Sequence, residues 1–217
     1  MSSTPELHAP APSLLDLVPV VPVVVIDDLD HAVPVAEALV RGGLPVIELT
    51  LRTPVALQAI ARVAAEVPDI RIGAGTVTTA AQADQAWAAG AQFLVSPGAT
   101  PTLLDAMEQT GLPFLPGVAT VSEALTAVER GHTDLKFFPA EAAGGAAYLS
   151  SIGGPLPDVR FCPTGGITPE SAPRYLALPN VGCVGGSWIT PRSALTEGRW
   201  DVVASLAGGA AALTGRA

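Results

Sequence analysis

The most reactive side chain in the sequence is Lys136, the only lysine among 217 residues, which lies in the run Asp-Leu-Lys-Phe-Phe-Pro-Ala. Flanked by Leu135 and Phe137 in a predicted buried strand, its amine would be desolvated, which favours the neutral form over the ammonium. A neutral amine is a nucleophile toward carbonyl carbon. A lysine that snorkels to solvent or pairs with a carboxylate is the alternative. Because all other Lys and Arg positions are arginine, we favour a role that needs an amine.

A carboxylate and a guanidinium lie four residues apart at the second predicted strand, residues 45–51. Alternation puts Glu48 and Arg52 on one face and Ile47 and Leu49 on the other. The apolar face belongs against helices, so Glu48 should point inward, with Arg52 above it at the strand's end. A structural ion pair between the two is one interpretation. In the other, Glu48 transfers protons while Arg52 binds a substrate carboxylate.

Other candidate groups lie at or near the ends of further predicted strands. Phe138 shares a face with Lys136 by parity and is expected to form an aromatic wall beside the amine. Thr76 either contacts a ligand or caps the next turn. Pro97, in Ser-Pro-Gly, ends the fourth strand with a free carbonyl.

Two glycine pairs follow the last two predicted strands directly: Gly165 with Gly166, and Gly185 with Gly186, the latter before Ser187. Backbone amides in such loops can bind phosphate, and barrels often place a phosphate after strands seven and eight. Four other Gly-Gly pairs occur in the sequence, most of them plain turns. Only their position after the last two strands therefore favours phosphate binding by Gly165–Gly166 and Gly185–Gly186.

Together these groups predict Schiff-base chemistry. An amine that attacks a ketone forms an imine, whose protonated nitrogen stabilises an adjacent enamine during carbon–carbon cleavage. Glu48 would move protons, Arg52 and Thr76 would hold the carboxylate of a 2-keto acid, and the glycine pairs would bind a distal phosphate. The three histidines, at positions 8, 31 and 132, show no ligand spacing. A metal site is therefore disfavoured, and no cofactor is expected.

The elements that must position these residues alternate regularly from Val20 onward. Eight short apolar runs each precede a helix-start signal and an Ala-rich amphipathic segment. This pattern predicts a (β/α)8 TIM barrel. An open doubly wound sheet is less favoured, because no Gly-rich fingerprint follows the first strand. Residues 13–217 are expected to form one domain that begins with a short helix at 13–18, after a flexible tail at 1–12. The predicted strands are 20–26, 45–51, 71–77, 93–97, 113–118, 134–139, 159–164 and 181–185.

The composition of the chain excludes some classes of binding partner and favours one cellular compartment. A net charge of −9 and a pI near 4.6 argue against nucleic acid but permit an anionic small substrate, since a pocket can set its own local field. Cys162 and Cys183 lie in apolar runs and are expected to be buried, reduced thiols, which favours the cytoplasm. No apolar run is long enough to span a bilayer, and no signal peptide is apparent.

Six motifs resemble those of the bacterial 2-dehydro-3-deoxy-phosphogluconate (KDPG) aldolases of the Entner–Doudoroff pathway, from about Pro19 to the C-terminal helix. They are Val-Ile-Glu-Leu-Thr-Leu-Arg-Thr (46–53), Gly-Ala-Gly-Thr-Val (73–77), Leu-Val-Ser-Pro-Gly (94–98), Leu-Lys-Phe-Phe-Pro-Ala-Glu (135–141), Arg-Phe-Cys-Pro-Thr-Gly-Gly-Ile (160–167) and Gly-Gly-Ser-Trp (185–188).

This resemblance implies a class I lyase that produces pyruvate and glyceraldehyde 3-phosphate, and often also splits 4-hydroxy-2-oxoglutarate (KHG). It implies Lys136 as the Schiff-base residue and Glu48 as the proton carrier, in a homotrimer. The other implied contacts are Arg52, Thr76, Pro97 and Phe138 for the pyruvate part, Thr164 beside the C4 hydroxyl, and Gly165, Gly166, Gly185, Gly186 and Ser187 for the phosphate. Three alternatives stay open: an aldolase of the galactonate epimer, one acting on an unphosphorylated keto acid, and a non-catalytic sugar-phosphate sensor.

Overall fold

Parallel strands and α-helices alternate along the chain in the computed structural model, which describes residues 13–213. The predicted tail at residues 1–12 lies outside these residues. The strands are β1 (Val20–Val24), β2 (Val46–Thr50), β3 (Arg71–Gly75), β4 (Phe93–Val95), β5 (Phe114–Leu115), β6 (Gly117–Val118), β7 (Asp134–Phe137), β8 (Arg160–Pro163) and β9 (Val184–Gly186). The α-helices are α1 (Ala32–Arg41), α2 (Ala56–Glu66), α3 (Ala80–Ala88), α4 (Pro101–Gln109), α5 (Val121–Glu129), α6 (Gly145–Ile152), α7 (Ala172–Leu176), α8 (Arg192–Thr196) and α9 (Trp200–Ala211).

The strands form a curled six-stranded parallel sheet, in the order β5-β4-β3-β2-β1-β9, and a three-stranded parallel sheet, in the order β6-β7-β8. The predicted α/β class with parallel strands is confirmed. The described ladders do not form the continuous eight-stranded barrel that the sequence predicts. Pro116 separates β5 from β6 and splits the predicted strand 113–118.

Between β8 and β9 only isolated bridges form, where Val181 pairs with Phe161 and Gly185 with Thr164. The two bridges differ by one residue in offset, so the segment 181–185 carries one residue more than its partner 161–164, as in a β-bulge. This irregularity interrupts the ladder and also shifts the last strand, which the sequence predicted at 181–185, to Val184–Gly186.

A 3₁₀ helix at Leu14–Asp16, within the predicted helix at 13–18, lies at the amino ends of β7 and β8. Arg160, the first residue of β8, donates to Asp16 at 2.7 Å and to Asp134 at 3.3 Å, and Ser13 also donates to Asp134. Leu15 is buried against Gly182, where an added Cβ would lie 2.6 Å from the Cβ of Leu15. These contacts fix the amino ends of the strands and leave the carboxyl ends for chemistry.

The core between sheet and helices is almost entirely apolar, and the exceptions point to the site. Five buried polar side chains lie on strands or directly after them: Glu48, Thr50, Ser96, Lys136 and Thr164. Burying such groups costs free energy unless they are hydrogen-bonded, so each needs a structural or chemical reason.

Both cysteines are buried free thiols, as predicted. The hydrogen bond with Cys162, together with burial, raises the pKa of the Cys183 thiol well above its usual value. The Cys183 thiol is therefore expected to stay protonated and unreactive. Within residues 13–213, the helices are too short or too polar to cross a membrane.

Candidate active site

Lys136 and Glu48 form a buried ion pair in the interior of the protein. The Nζ atom of Lys136 on β7 lies 3.2 Å from Oε1 of Glu48 on β2, and their side chains are 4% and 3% exposed. Neither side chain reaches solvent, so the snorkelling half of the alternative for Lys136 is wrong, whereas its other half, pairing with a carboxylate, is observed. The ion pair of Glu48 is with Lys136, not with Arg52 as the structural alternative had it. A carboxylate at this distance can exchange a proton with the amine directly.

Gly75 makes room for the carboxylate of Glu48, and Phe138 places an aromatic ring beside Lys136. Gly75 on β3 carries no side chain, and an added Cβ there would lie 2.2 Å from Oε1 of Glu48. The ring of Phe138 has its centroid 5.4 Å from Nζ of Lys136, within the range of a cation–π contact. The aromatic neighbour that strand parity predicts is therefore present.

Gly75→Ala is expected to lower both the stability and kcat of the enzyme. The new methyl group would displace the carboxylate of Glu48 from Lys136, and overpacking of this kind costs about 1–3 kcal/mol. Urea unfolding and steady-state kinetics measure the two effects. Gly209→Ala is the control, because this exposed glycine of α9 has no atom within 4 Å of an added Cβ. That change should stabilise the helix slightly without altering kcat. An unchanged kcat in Gly75→Ala would show that Glu48 needs no exact placement.

Arg52 and Thr76 form a second polar group at the carboxyl ends of β2 and β3. Nε of Arg52, an exposed residue, donates to Oγ1 of Thr76 at 3.1 Å. Thr76 has φ 59°, the one positive value for a residue other than glycine among residues 13–213. A β-branched residue in this region is strained by about 1–3 kcal/mol, and such strain clusters at ligand sites. The next helix, α3, is capped by Thr79.

Pro97 lies beside β6, the strand that pairs with the strand of Lys136. It is half-buried after β4, and its carbonyl carbon would lie 2.3 Å from a Cβ added to Gly117. Gly117 is in turn the register partner of Lys136. The absence of a side chain at Gly117 thus lets the Pro97 backbone approach the lysine strand.

The residues predicted to bind phosphate lie in or directly after β9 and directly after β8. Gly165 and Gly166 have φ of 104° and 79°, values that other residues rarely adopt. Gly185 lies against Thr164, whose buried Oγ1 would be 2.2 Å from an added Cβ. Gly185 and Gly186 belong to β9 itself rather than to the loop after it, so that part of the prediction is corrected, and exposed Ser187 comes first after the strand.

A cavity of about 760 Å³ opens at the carboxyl ends of β1 and β9. It is lined by Val23, Ser187, Arg192 and Leu195, among others, but not by Lys136 or Glu48. Val23 is the register partner of Glu48 on the neighbouring strand. The cavity therefore opens beside β1, the neighbour of the strand that carries Glu48, and does not include the ion pair itself.

Two groups near the site were missed from the sequence. Glu141 accepts a hydrogen bond from the hydroxyl of Tyr175 at 2.7 Å and lies against Gly166. The position of Glu141 five residues after Lys136 was a usable signal, whereas nothing in the sequence pairs it with Tyr175.

Within residues 13–213, no cluster of three or more His, Cys, Asp or Glu side chains is arranged to hold a metal ion.

A solitary buried amine within hydrogen-bond distance of a carboxylate, placed by parallel strands of an α/β fold, defines a class of protein, the Schiff-base carbon–carbon lyases or class I aldolases. The comparison with known proteins agrees. A family model for KDPG and KHG aldolase matches residues 12–206, and the chain belongs to this family.

Relatives and solved structures cover almost the whole chain. The 2-dehydro-3-deoxy-phosphogluconate aldolase of Pseudoalteromonas atlantica is 53% identical over 87% of this chain and 88% of its own. The KHG/KDPG aldolase of Escherichia coli is 50% identical over 91% and 92%. The crystal structure of KDPG aldolase from Legionella pneumophila, with pyruvate captured at low pH as a covalent carbinolamine intermediate, superposes with a TM-score of 0.89 at 47% identity. It covers 91% of this chain and 96% of its own.

Proposed function

We propose that this protein cleaves KDPG to pyruvate and glyceraldehyde 3-phosphate in the Entner–Doudoroff pathway, with Lys136 as the Schiff-base residue. The observation that carries the proposal is the 3.2 Å contact between the only lysine of the chain and Glu48 in a buried site. The carbinolamine trapped in the Legionella pneumophila relative supports the same chemistry. KHG, which the name of the Escherichia coli relative includes, is a second substrate that would yield pyruvate and glyoxylate.

The reaction follows from the geometry of the pair. Nζ of Lys136 attacks the C2 carbonyl of the substrate, and Glu48 delivers a proton to the departing hydroxyl, so that water leaves and a protonated imine forms. Glu48, now a carboxylate, removes the C4 hydroxyl proton, and the C3–C4 bond breaks, so that the electrons of this bond move into the imine and produce an enamine. Glyceraldehyde 3-phosphate departs. Glu48 returns a proton to C3, and water hydrolyses the imine to release pyruvate.

The remaining groups bind the substrate at its two ends. Arg52 would hold the carboxylate through paired donors, with Thr76 beside it. The ring of Phe138 would pack against the pyruvate part, next to the Pro97 carbonyl. Thr164 would contact the C4 hydroxyl. The phosphate would bind to backbone amides and a hydroxyl at Gly165, Gly166, Gly185, Gly186 and Ser187.

Reductive trapping tests the proposal. Incubation with pyruvate and sodium borohydride should add one pyruvate unit to the protein, and peptide mapping should place it on Lys136. A non-catalytic sensor would leave the mass unchanged. Because the sequence contains no other lysine, a modified side-chain amine elsewhere is impossible, and the α-amino group is the natural control.

Kinetics separate the remaining alternatives. We expect turnover of KDPG to exceed that of its galactonate epimer and of unphosphorylated keto acids in kcat/KM. A higher kcat/KM for the galactonate epimer would reassign the substrate. A rate indifferent to phosphate would remove the role of the Gly165 and Gly185 regions.

The architecture is proposed in its finer form as well. The two sheets would close into one (β/α)8 barrel, through the Pro116 connection on one side and the Thr164–Gly185 bridge on the other. The chain from residue 13 onward would form one domain that assembles as a homotrimer in the cytoplasm. The 96% coverage of the Legionella pneumophila aldolase supports the single domain, and light scattering in solution measures the trimer.

A further inference from the structure

The turn Gly165–Gly166, which binds phosphate in the proposed function, cannot fix its own conformation. Both residues lack side chains, and both have positive φ. Glycine explores this region and many others at similar cost, so an isolated Gly-Gly turn would sample several arrangements of its amides. A turn that presents amides to an anion must therefore be held from outside.

Glu141, in the loop after β7, contacts this turn through both its main chain and its side chain. The amide of Ala140 donates to the carbonyl of Thr164 at 2.8 Å, and the amide of Glu141 donates to the carbonyl of Gly165 at 3.1 Å. An added Cβ on Gly166 would lie 2.9 Å from Cβ of Glu141, so the aliphatic stem of Glu141 covers the Cα of this glycine. With its carbonyl groups bound on one side, the turn is restricted in how it can present its amides.

The carboxylate of Glu141 is anchored in turn by Tyr175 on α7, the helix that follows the turn. Oη of the fully buried Tyr175 donates to Oε1 of Glu141 at 2.7 Å, and Nη2 of Arg174 lies 3.7 Å from the same oxygen. Burial, with the hydrogen bond to Glu141 as a second cause, raises the pKa of the Tyr175 phenol, so it remains a donor at neutral pH. Glu141 thus connects the turn to α7.

We infer that Glu141, held by Tyr175, is a positioning residue that fixes the Gly165–Gly166 turn for binding of the substrate's phosphate. This inference rests on the proposed function, because it concerns the same site. The inference makes a selective prediction. Loss of the contact between Tyr175 and Glu141 weakens binding of the phosphorylated substrate, while the reaction of Lys136 with pyruvate, which has no phosphate, is unchanged.

Tyr175→Phe is the first test, and Tyr148→Phe is its matched control. These are the only two tyrosines of the chain. Tyr148 stacks on Phe137 with ring centroids 5.4 Å apart and lies outside the Glu141 contact. In Tyr175→Phe we expect KM for KDPG to rise about tenfold with kcat nearly unchanged, the scale of one lost charge-assisted hydrogen bond. Tyr148→Phe should keep the KM of the wild type.

The pyruvate concentration that gives half-maximal borohydride trapping is the phosphate-free readout, and it should be the same in all variants. A merely structural role for Tyr175 would lower the melting temperature and change both readouts together or neither. Equal changes for KDPG and pyruvate, or an unchanged KM for KDPG, would overturn the inference.

Glu141 provides a second test that does not depend on a buried substitution, because its side chain is 39% exposed. Glu141→Ala removes both the stem and the acceptor and should raise KM for KDPG at least as much as Tyr175→Phe. Glu141→Gln keeps the stem and a carbonyl acceptor and should restore KM to near the wild-type value. A lower KM in Glu141→Ala would mean that the carboxylate acts by repelling phosphate, and would overturn the inference. Failure of the proposed function is distinguishable, since the wild type itself would then neither cleave KDPG nor be trapped with pyruvate.

Discussion

Lys136→Ala is expected to reduce KDPG cleavage to the limit of detection and to abolish trapping with pyruvate and borohydride. Without the amine no covalent intermediate can form, and no other lysine can replace it. The substitution also leaves the buried carboxylate of Glu48 without its partner, which costs about 3–5 kcal/mol of stability. Steady-state kinetics, intact-protein mass after trapping and urea unfolding measure the three effects.

The loss of stability requires a control, because an unfolded variant is also inactive. The double variant Lys136→Met with Glu48→Gln removes both charges, and so leaves no unpaired ion in the core. It should unfold at higher urea concentration than Lys136→Ala and yet be equally inactive. Detectable cleavage by this well-folded double variant would contradict the assignment of Lys136.

Glu48→Gln is expected to lower kcat for KDPG by roughly 10²–10⁴, the contribution of a positioned acid or base. The amide occupies nearly the same volume and keeps an oxygen acceptor near Nζ of Lys136, so the fold should remain intact. It cannot carry a proton between imine formation and protonation of C3. Trapping with pyruvate should therefore still occur, at a lower rate.

Thr50→Val is the matched control for this change, because Thr50 lies on the same strand and is also buried. Its Oγ1 donates to the carbonyl of Val24 at 3.1 Å and takes no part in the Lys136 contact. We expect a moderate loss of stability with kcat close to that of the wild type. An unchanged kcat in Glu48→Gln, or an equal loss in Thr50→Val, would remove Glu48 from the mechanism.

Helix starts could be located from the sequence where the capping hydrogen bond joins residues that are close in sequence. Thr79, Thr100 and Thr120 cap α3, α4 and α5, and Glu123 completes a capping box with Thr120. These interactions involve residues three apart, so they can be read from the sequence.

At three other positions the local sequence pattern does not match the structure, and at Thr53 the reason is a distant hydrogen-bond partner. Thr53 stands one turn before α2, but its hydroxyl donates to the carbonyl of Ile26 at 2.6 Å, and the cap position falls on Val55. Thr190 precedes a proline, a common pattern at the start of a helix, whereas α8 has Pro191 itself at its cap position. Pro116 was read as part of one strand, yet it divides the ladder between β5 and β6.

The candidate site shows the same division. The period of two along β2 and β7 places Glu48 and Lys136 on inward faces, and their 3.2 Å contact follows once the sheets curl together. The left-handed conformation of Thr76 was not foreseeable, because threonine disfavours it and only the surrounding fold imposes it. The contact between Tyr175 and Glu141 joins residues 34 apart in sequence, so no local pattern reveals it.

The solitary, buried lysine also affects how the protein tolerates its own product. Aldehydes such as the one released in the proposed reaction glycate exposed lysine side chains through their unprotonated amine, whereas a guanidinium stays protonated and is a far weaker nucleophile. Since every other Lys or Arg position in this chain is arginine, no surface lysine is available for such damage. The side-chain amine of Lys136 does condense with a carbonyl compound, but hydrolysis of the imine at the end of the proposed reaction regenerates it.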